Sequence, residues 1–262
     1  MNAARYTSEE MMTIAAARTL RNGAVCFVGI GLPSTAANLA RLTHAPDVVL
    51  IYESGPIGAR PPILPLSIGD SHLAETADTV VSTPEVFRYW LQGGHVDVGF
   101  LGAAQIDRFA NINTTVIGDY AHPKVRLPGA GGASEISSNA KEVLLIVRQT
   151  RQSFVEKLDF LTSVGFLTGG DSRQRAGLRG GGPSAVISDL CILRPDPIDR
   201  ELRVVSLHPG LSRERILDNT GWRIRFADDC CETAPPSGME LEILRDLHRR
   251  TRAAHGCVGD TA

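Results

Sequence analysis

The sequence predicts an α/β protein: an open, mainly parallel sheet with flanking helices, followed by a strand-rich C-terminal third. Short runs of valine, isoleucine and leucine alternate with helical patterns in the first half, and this alternation predicts parallel strands joined by right-handed crossovers. In the last third, apolar runs are separated by Gly-rich and Pro/Asp turns, which are typical of hairpins. The 262 residues, 43% of them hydrophobic, are enough to bury a sizeable core. No linker or internal repeat is visible, so we expect one domain over residues 1–262.

The first elements alternate between helix and strand. Thr7 and Glu10 form a capping-box pattern ahead of an apolar helical stripe. The run 24–28 predicts a strand, and the segment 34–42 predicts a helix capped by its first or second residue. The run 48–52 predicts the next strand, and its continuous apolar character is expected of a strand covered on both faces.

The remaining elements are predicted from turn signals and apolar runs. In the middle of the chain they are an irregular Pro/Gly-rich stretch over 56–78, strands over 79–82, 98–101 and 142–147, and a helix over 84–91. In the last third they are strands within 184–193 and over 202–207, and helices over 212–219 and 239–250. We interpret the arginine-rich segments Arg173–Arg179 and Arg213–Arg215 as solvated loops.

Composition and charge exclude several classes of function. A formal charge of −2 gives no overall field that would favour nucleic acid or an anionic membrane. No apolar run is long enough to span a bilayer, and the N-terminus lacks the features of a secretory signal. The five cysteines are odd in number and irregularly spaced, so we expect reduced thiols in a cytoplasmic protein. The seven histidines never fall at metal-ligand spacing, so no metal site is expected.

One carboxylate stands out as a candidate catalytic residue. Glu53 directly follows the apolar run 48–52 and is followed by Ser54 and Gly55. Burying an unpaired charge is costly, so Glu53 is not part of the core. In open parallel sheets, ligands bind outside the carboxyl ends of the strands, which is where this residue falls. The alternative is a partly solvated carboxylate at a strand end without a catalytic role.

Two glycine-rich loops are candidates for binding. Gly29 and Gly31 begin like a dinucleotide fingerprint, but the third glycine is missing. A phosphate loop, a strand-to-helix turn that needs a positive φ, and a loop that lines a pocket all stay open. The segment with Gly131 and Gly132 is either a flexible turn or an oxyanion hole, in which backbone N–H groups bind the oxygen of a thioester carbonyl.

Several segments, taken in chain order, carry a resemblance to a known family. They are the residues NGAVCFVGIGLP over 22–33, ESG over 53–55, GGHVD over 93–97, LGAAQID over 101–107 and PGAGGA over 128–133. The series resembles the β subunit of class I coenzyme A transferases, and most of all the glutaconate CoA-transferase subgroup. The resemblance extends over about residues 7–250 and implies the class I CoA-transferase fold.

The resemblance also implies a reaction and its residues. It implies ping-pong transfer of CoA between an acyl-CoA and a carboxylic acid, expected to be dicarboxylic. Glu53 would attack the acyl-CoA thioester, form a mixed anhydride, and then become a glutamyl-CoA thioester. The other residues that the resemblance assigns to the site are the oxyanion donors Gly131 and Gly132, the polar contacts Gln105 and Asn113, and the pocket loop with Gly29 and Gly31.

Partners follow from the same resemblance. CoA is a substrate in this family, so no resident cofactor is expected. A homologous α subunit is expected to complete the active site in an αβ heterodimer or an α2β2 assembly. Two alternatives stay open: a CoA-ester hydrolase or decarboxylase on the same fold, and a non-catalytic subunit that only binds CoA esters. Family members that lost transferase activity often lack the glutamate, and this chain keeps it.

Overall fold

The computed structural model describes residues 6–256. The helices are α1 Ser8–Ala17, α2 Leu32–Leu42, α3 Ser71–Glu75, α4 Thr83–Glu85, α5 Ala133–Asn139, α6 Ser172–Arg175, α7 Arg213–Asp218 and α8 Gly238–His255, and a π-helix covers Val86–Leu91. The strands are β1 Val25–Phe27, β2 Val49–Ile51, β3 Pro56–Ile57, β4 Thr79–Val80, β5 Val98–Gly102, β6 Gln105–Ile106, β7 Ile112–Asn113, β8 Val116–Gly118, β9 Pro123–Arg126, β10 Glu142–Ile146, β11 Pro183–Ile187, β12 Cys191–Pro195, β13 Leu202–Leu207 and β14 Arg225–Glu232.

The described chain divides into two compact units. The first unit combines the described residues up to Val86 with those from Pro236 onward, and the second runs from Phe87 to Pro235. The single domain expected over residues 1–262 stays a prediction. Within residues 6–256, no helix combines the length and the apolar character needed to cross a membrane.

The first unit contains the predicted parallel crossover. Strands β1 and β2 pair in parallel, and α2 connects them. The short strands β3 and β4 continue this sheet in antiparallel orientation. Helix α1 packs against α2, and α8 packs against both. The predicted capping box is confirmed, because the Thr7 hydroxyl accepts from the Glu10 N–H and the Glu10 carboxylate accepts from the Thr7 N–H.

The start of α2 differs from the sequence prediction. The expected caps Ser34 and Thr35 lie inside the helix, and the N-cap is Gly31, which makes no side-chain capping bond and has a φ of 83°. A positive φ is favourable for glycine alone, and Pro33 fits the first turn because its missing N–H has no helical partner there. The Ser34 hydroxyl instead lies 3.1 Å from the Tyr52 hydroxyl.

The second unit contains the parallel core and the strand-rich last third. Strand β10 pairs in parallel with β5 and with β11, and the facing residues are almost all apolar and buried. Strands β12 and β13 follow in antiparallel orientation, and β14 pairs in parallel with β13. The predicted α/β class and the change of character in the last third are confirmed. Two small antiparallel pairs, β6–β7 and β8–β9, lie in a stretch that the sequence presents only as polar loops.

One arginine contradicts the interpretation of its segment as a solvated loop. Arg173 is only 5% exposed, and its guanidinium donates to the carbonyl oxygens of Gly180 (2.9 Å), Gly165 (2.9 Å) and Ser137 (2.6 Å). Burial lowers the pKa of Arg173 to about 10. The side chain therefore joins two loops and helix α5 of the second unit. This role depends on carbonyl partners, which the pattern of charges in the sequence does not reveal.

Candidate active site

Glu53 lies in a tight turn directly after β2. The Gly55 N–H donates to the Tyr52 carbonyl oxygen at 3.0 Å, and the Tyr52 N–H donates to the Pro56 carbonyl oxygen at 3.0 Å. These two bonds make Glu53 and Ser54 the central residues of a β-turn between β2 and β3. The carboxylate therefore leaves the sheet at the carboxyl end of a buried strand, where the sequence predicts it.

Gly55 is required by a close approach of two backbone segments. Its φ is 119°, and a Cβ at this position would lie 2.0 Å from the Val81 carbonyl oxygen. The Val81 N–H donates to the Gly55 carbonyl oxygen at 3.1 Å. Because the Val81 carbonyl belongs to the backbone, it cannot shift without disturbing its strand connection, and this position tolerates only glycine.

The backbone of the turn is held in place, but the carboxylate is not. The Ser54 hydroxyl donates to the Ile68 carbonyl oxygen, and the Thr83 hydroxyl donates to the Glu53 carbonyl oxygen at 3.3 Å. The Glu53 side chain is half-buried. The described residues of its own unit give this carboxylate no hydrogen bond and no salt bridge. A fixed backbone with an unpaired carboxylate is the arrangement that a nucleophile needs.

A buried polar network lies behind the turn. The Tyr52 hydroxyl lies 3.1 Å from the Ser34 hydroxyl and 3.4 Å from the Asn38 amide nitrogen, and all three side chains are buried. Arg41 donates to the Asn38 amide oxygen at 3.2 Å and to the Pro61 carbonyl oxygen at 2.9 Å. Burial raises the pKa of Tyr52, so the phenol stays protonated. The network fixes the residue before Glu53, and the four-residue spacing of serine and asparagine on α2 is its only sequence signal.

The loop with Gly29 and Gly31 lies at the same edge of the first unit as the Glu53 turn. It follows β1, and the parallel pairing of β1 with β2 puts both carboxyl ends at one edge. The positive φ of Gly31 supports the interpretation as a strand-to-helix turn. A Cβ on either glycine would meet no other atom within 4 Å, so the space beside the loop is open.

In the second unit, the Gly131–Gly132 segment offers free backbone donors. Gly131 has a φ of 47°, and Gly132 is the N-cap of α5. Within the described residues of this unit, neither N–H group has an acceptor. The loop is closed by the Ala133 N–H, which donates to the Ala130 carbonyl oxygen at 2.9 Å. Two adjacent free N–H groups are what an oxyanion hole requires.

Gln105 and Asn113 are buried opposite each other in the β6–β7 pair. The Asn113 amide nitrogen donates to the Gln105 amide oxygen at 2.8 Å, and the Gln105 amide nitrogen donates to the Asp159 carboxylate at 3.0 Å. The Asn113 amide oxygen accepts from the Thr115 N–H at 2.9 Å. These bonds hold the surrounding loops together, and direct contact of either amide with CoA stays a prediction.

The chemistry available in each unit defines a class of enzyme. A free glutamate after a parallel strand suits group transfer through a covalent glutamyl intermediate, and free N–H pairs suit a developing oxyanion. Among residues 6–256, no cluster of histidine, cysteine, aspartate and glutamate has the geometry of a metal site. Residues 9–219 match the model of the coenzyme A transferase family, and the chain belongs to this family.

Individual relatives agree with this assignment. The chain is 68% identical over 254 residues to the B subunit of 3-oxoadipate CoA-transferase of Pseudomonas knackmussii, covering 97% of this chain and 98% of that protein. It is 33% identical over 246 residues to the B subunit of glutaconate CoA-transferase of Acidaminococcus fermentans, covering 92% of each. The crystal structure of the latter enzyme matches with a TM-score of 0.87 and 32% identity, over 94% of this chain and 95% of that one.

A further solved structure belongs to an enzyme with a different reaction. The decarboxylase AibA/AibB matches with a TM-score of 0.79 and 25% identity, over 95% of this chain and 98% of that one. The predicted family, enzyme class and fold are therefore confirmed, and so is the likeness to the glutaconate subgroup. No motif in the sequence specifies the acid, so the sequence alone does not predict the higher identity to a subunit of a 3-oxoadipate enzyme.

Proposed function

We propose that this chain is the β subunit of a CoA-transferase that exchanges CoA between an acyl-CoA and a dicarboxylic 3-oxo acid, with 3-oxoadipate as that acid. The substrate is proposed from the 68% identity to a relative that is named for it. The homologous α subunit in an αβ or α2β2 assembly is proposed because relatives of this chain are named as B subunits.

The observation that carries the proposal is the unpaired carboxylate of Glu53 on a fixed turn. One carboxylate oxygen of Glu53 attacks the thioester carbonyl; a C–O bond forms, the C–S bond breaks, and CoA leaves as a thiolate. The thiolate then attacks the Glu53 carbonyl carbon and releases the first acid as its carboxylate. The second acid reverses both steps and leaves as its CoA ester. CoA enters as a substrate, and these steps as proposed require no metal and no resident cofactor.

The other predicted residues have supporting roles in this proposal. The free N–H groups of Gly131 and Gly132 bind the oxyanion of the tetrahedral intermediates, where one donor is worth about 10²- to 10³-fold in rate. Gly29 and Gly31 form a wall of the acyl pocket. Gln105 and Asn113 hold the loops of the second unit and are also proposed to contact CoA.

The decisive experiment traps the enzyme intermediate. After co-expression with the α subunit, the complex is incubated with acyl-CoA, reduced with borohydride, and digested for mass spectrometry. We expect the modification on the peptide with Glu53, and we expect Glu53→Gln to reduce transfer by at least about 10⁴-fold. Glu75→Gln is the matched control, because Glu75 is an exposed carboxylate on α3. Full transfer by Glu53→Gln without labelling would refute the proposal.

The match to a decarboxylase supports one alternative reaction. In that case CoA esters would be consumed without an acceptor acid, and carbon dioxide or a free acid would appear. Product analysis with and without the acceptor separates the two reactions. A merely binding subunit would instead keep its full contribution to activity after Glu53→Ala.

The cytoplasmic location is also proposed. Within the described residues, Cys26, Cys191, Cys230 and Cys231 form no disulfide, as expected in a reducing compartment. Burial raises the pKa of the Cys191 thiol to about 12, so this sulfur is unreactive at neutral pH.

A further inference from the structure

The β8–β9 hairpin and Phe160, from a later segment, form a cluster of two cations and two aromatic rings that no step of the proposed reaction uses. The cluster consists of Tyr120, Lys124, Arg126 and Phe160. The Arg126 guanidinium carbon lies 4.6 Å from the centroid of the Tyr120 ring, and its Nη2 donates to the Tyr120 carbonyl oxygen at 2.8 Å. The Tyr120 and Phe160 rings are stacked, with centroids 5.3 Å apart and planes 24° apart. The guanidinium and both rings therefore form one stacked assembly.

This assembly is exposed and its charges are not neutralised. Tyr120 is 56% exposed, and Lys124 and Arg126 are exposed as well. Within the part of the chain that the structure describes, neither cation forms a salt bridge. Asp119 and Asp159 precede the two rings in the sequence and are bonded to backbone, since the Asp119 carboxylate accepts from the Ala121 N–H and the Asp159 carboxylate from the Gly118 N–H, each at 2.9 Å. A planar cation on an exposed ring beside a lysine is complementary to a ligand with phosphates and a flat base.

We propose that this cluster binds the 3′-phosphorylated adenine nucleotide of CoA. Lys124 and Arg126 bind the phosphates, and the adenine extends the stack formed by Arg126, Tyr120 and Phe160. The inference rests on the proposed function, and it adds the part of the chain that holds the non-reacting end of the substrate.

The hairpin is joined directly to the glycine loop. Gly131 follows Arg126 by five residues, and a segment of that length spans at most about 18 Å. The segment with Phe160 is hydrogen-bonded to both regions. The Asp159 carboxylate accepts from the Gly118 N–H of β8 at 2.9 Å, and the Thr162 carbonyl oxygen accepts from the hydroxyl of Ser134, which follows the glycine loop, at 2.8 Å. The pantetheine arm of CoA separates thioester from nucleotide by a distance of this order. One ordered part of the second unit thus serves both ends of CoA.

The test measures binding without chemistry. The full-length chain, purified with its α subunit, is titrated in a calorimeter with desulfo-CoA, which lacks sulfur and cannot react with Glu53. We expect Arg126→Leu to weaken binding about ten-fold and the double variant with Lys124→Leu about a hundred-fold, since each change removes one charged contact to phosphate. Adenosine 3′,5′-bisphosphate should compete with desulfo-CoA in the wild-type complex and lose affinity in the same variants. Arg223→Leu is the matched control, because Arg223 is an exposed arginine of the same unit outside the cluster.

The outcomes separate this inference from the proposed reaction. Binding by the Arg126→Leu and double variants within about two-fold of wild type would overturn the nucleotide site, and so would an equal loss in Arg223→Leu. If Glu53 is labelled by acyl-CoA while the hairpin variants bind normally, the inference alone fails. If Glu53 stays unlabelled while the hairpin variants lose desulfo-CoA, the proposed chemistry alone fails. Unchanged thermal unfolding, expected for exposed side chains, excludes loss of fold as the cause.

Discussion

The Glu53 turn and the Gly131–Gly132 loop both depend on glycine, but for opposite reasons. At Gly55, a Cβ would lie 2.0 Å from a backbone oxygen, whereas at Gly131 it would meet no other atom within 4 Å. The first glycine allows close packing that fixes the turn, and the second leaves backbone N–H groups open. A nucleophile needs a fixed backbone and a free side chain, while an oxyanion site needs free N–H groups and room for the substrate.

The largest effect is expected at the packed glycine. Gly55→Ala puts a methyl group against the Val81 carbonyl oxygen at a φ of 119° that alanine disfavours. We expect the free energy of unfolding to fall by about 4 kcal/mol, and transfer to be lost because the Glu53 turn moves. Urea denaturation of the purified complex and a transfer assay measure both effects. A loss below about 1 kcal/mol would mean that the turn is not fixed by packing.

The open glycine should respond in the opposite way. In Gly131→Ala the methyl group has space, so we expect a loss of only about 1–2 kcal/mol for the positive φ. The same methyl narrows the approach to the free N–H groups, so kcat/KM should fall about 10- to 100-fold. Comparing the unfolding midpoint and kcat/KM of the two alanine variants checks the contrast directly. If Gly131→Ala unfolds the protein and keeps its activity per folded molecule, the contrast is wrong.

The network behind the turn should have a smaller effect. Tyr52→Phe removes one hydroxyl and leaves Ser34 and Asn38 short of a buried partner. We expect a loss of about 1–2 kcal/mol in stability, and a reduced rate of Glu53 labelling if the network positions the turn. The control is Tyr89→Phe, because the Tyr89 side chain is 67% exposed. Equal effects of both variants on labelling would remove the network from the site.

Local patterns explain which parts of the site could be predicted from the sequence. Glu53 was predictable because its position depends only on the apolar run before it and the Ser-Gly after it. The roles of Gln105 and Arg173 were not, because their partners are remote: Asp159 is 54 residues from Gln105, and Ser137 is 36 residues from Arg173. The spacing and charge of residues do not reveal which carbonyl or carboxylate group, so far away along the chain, will contact them in the fold.

Backbone geometry also limits how well the start of a helix can be predicted from the sequence. Serine and threonine at the predicted start of α2 have the chemistry of helix caps, and local propensity favours them. The chain instead begins the helix at Gly31, because its positive φ turns the chain out of β1, and Ser34 then forms a hydrogen bond with Tyr52. The tertiary contact of the serine outweighs its capping propensity, so the same residue became part of the network behind Glu53.

The smallest effect is expected at an ion pair in the unit that carries Glu53, and this effect shrinks further in acid. Burial by itself would raise the pKa of Glu240, but hydrogen bonds from Arg18 and from Ser237 outweigh it and lower the pKa to about 2. A carboxyl group whose pKa is lower in the folded state stabilises fully above its unfolded pKa of about 4.5 and loses this contribution as the pH falls toward 2.

Arg18→Met removes the cation that is paired with Glu240. The free energy of unfolding of the variant should therefore be about 1 kcal/mol lower at pH 7, and its stability should fall less steeply below pH 4.5. Urea midpoints of wild type and variant at pH 7, 5 and 3 measure the difference, which should narrow toward pH 3. Arg60→Met is the control, because the Arg60–Asp78 pair has a similar 2.7 Å distance but both side chains are more than half exposed. In the second unit, the buried cation Arg173 bonds to carbonyl oxygens, which do not titrate, so its contribution to stability should not fall in acid. A difference between Arg18→Met and wild type that stays constant down to pH 3 would show that Arg18 does not lower the pKa of Glu240.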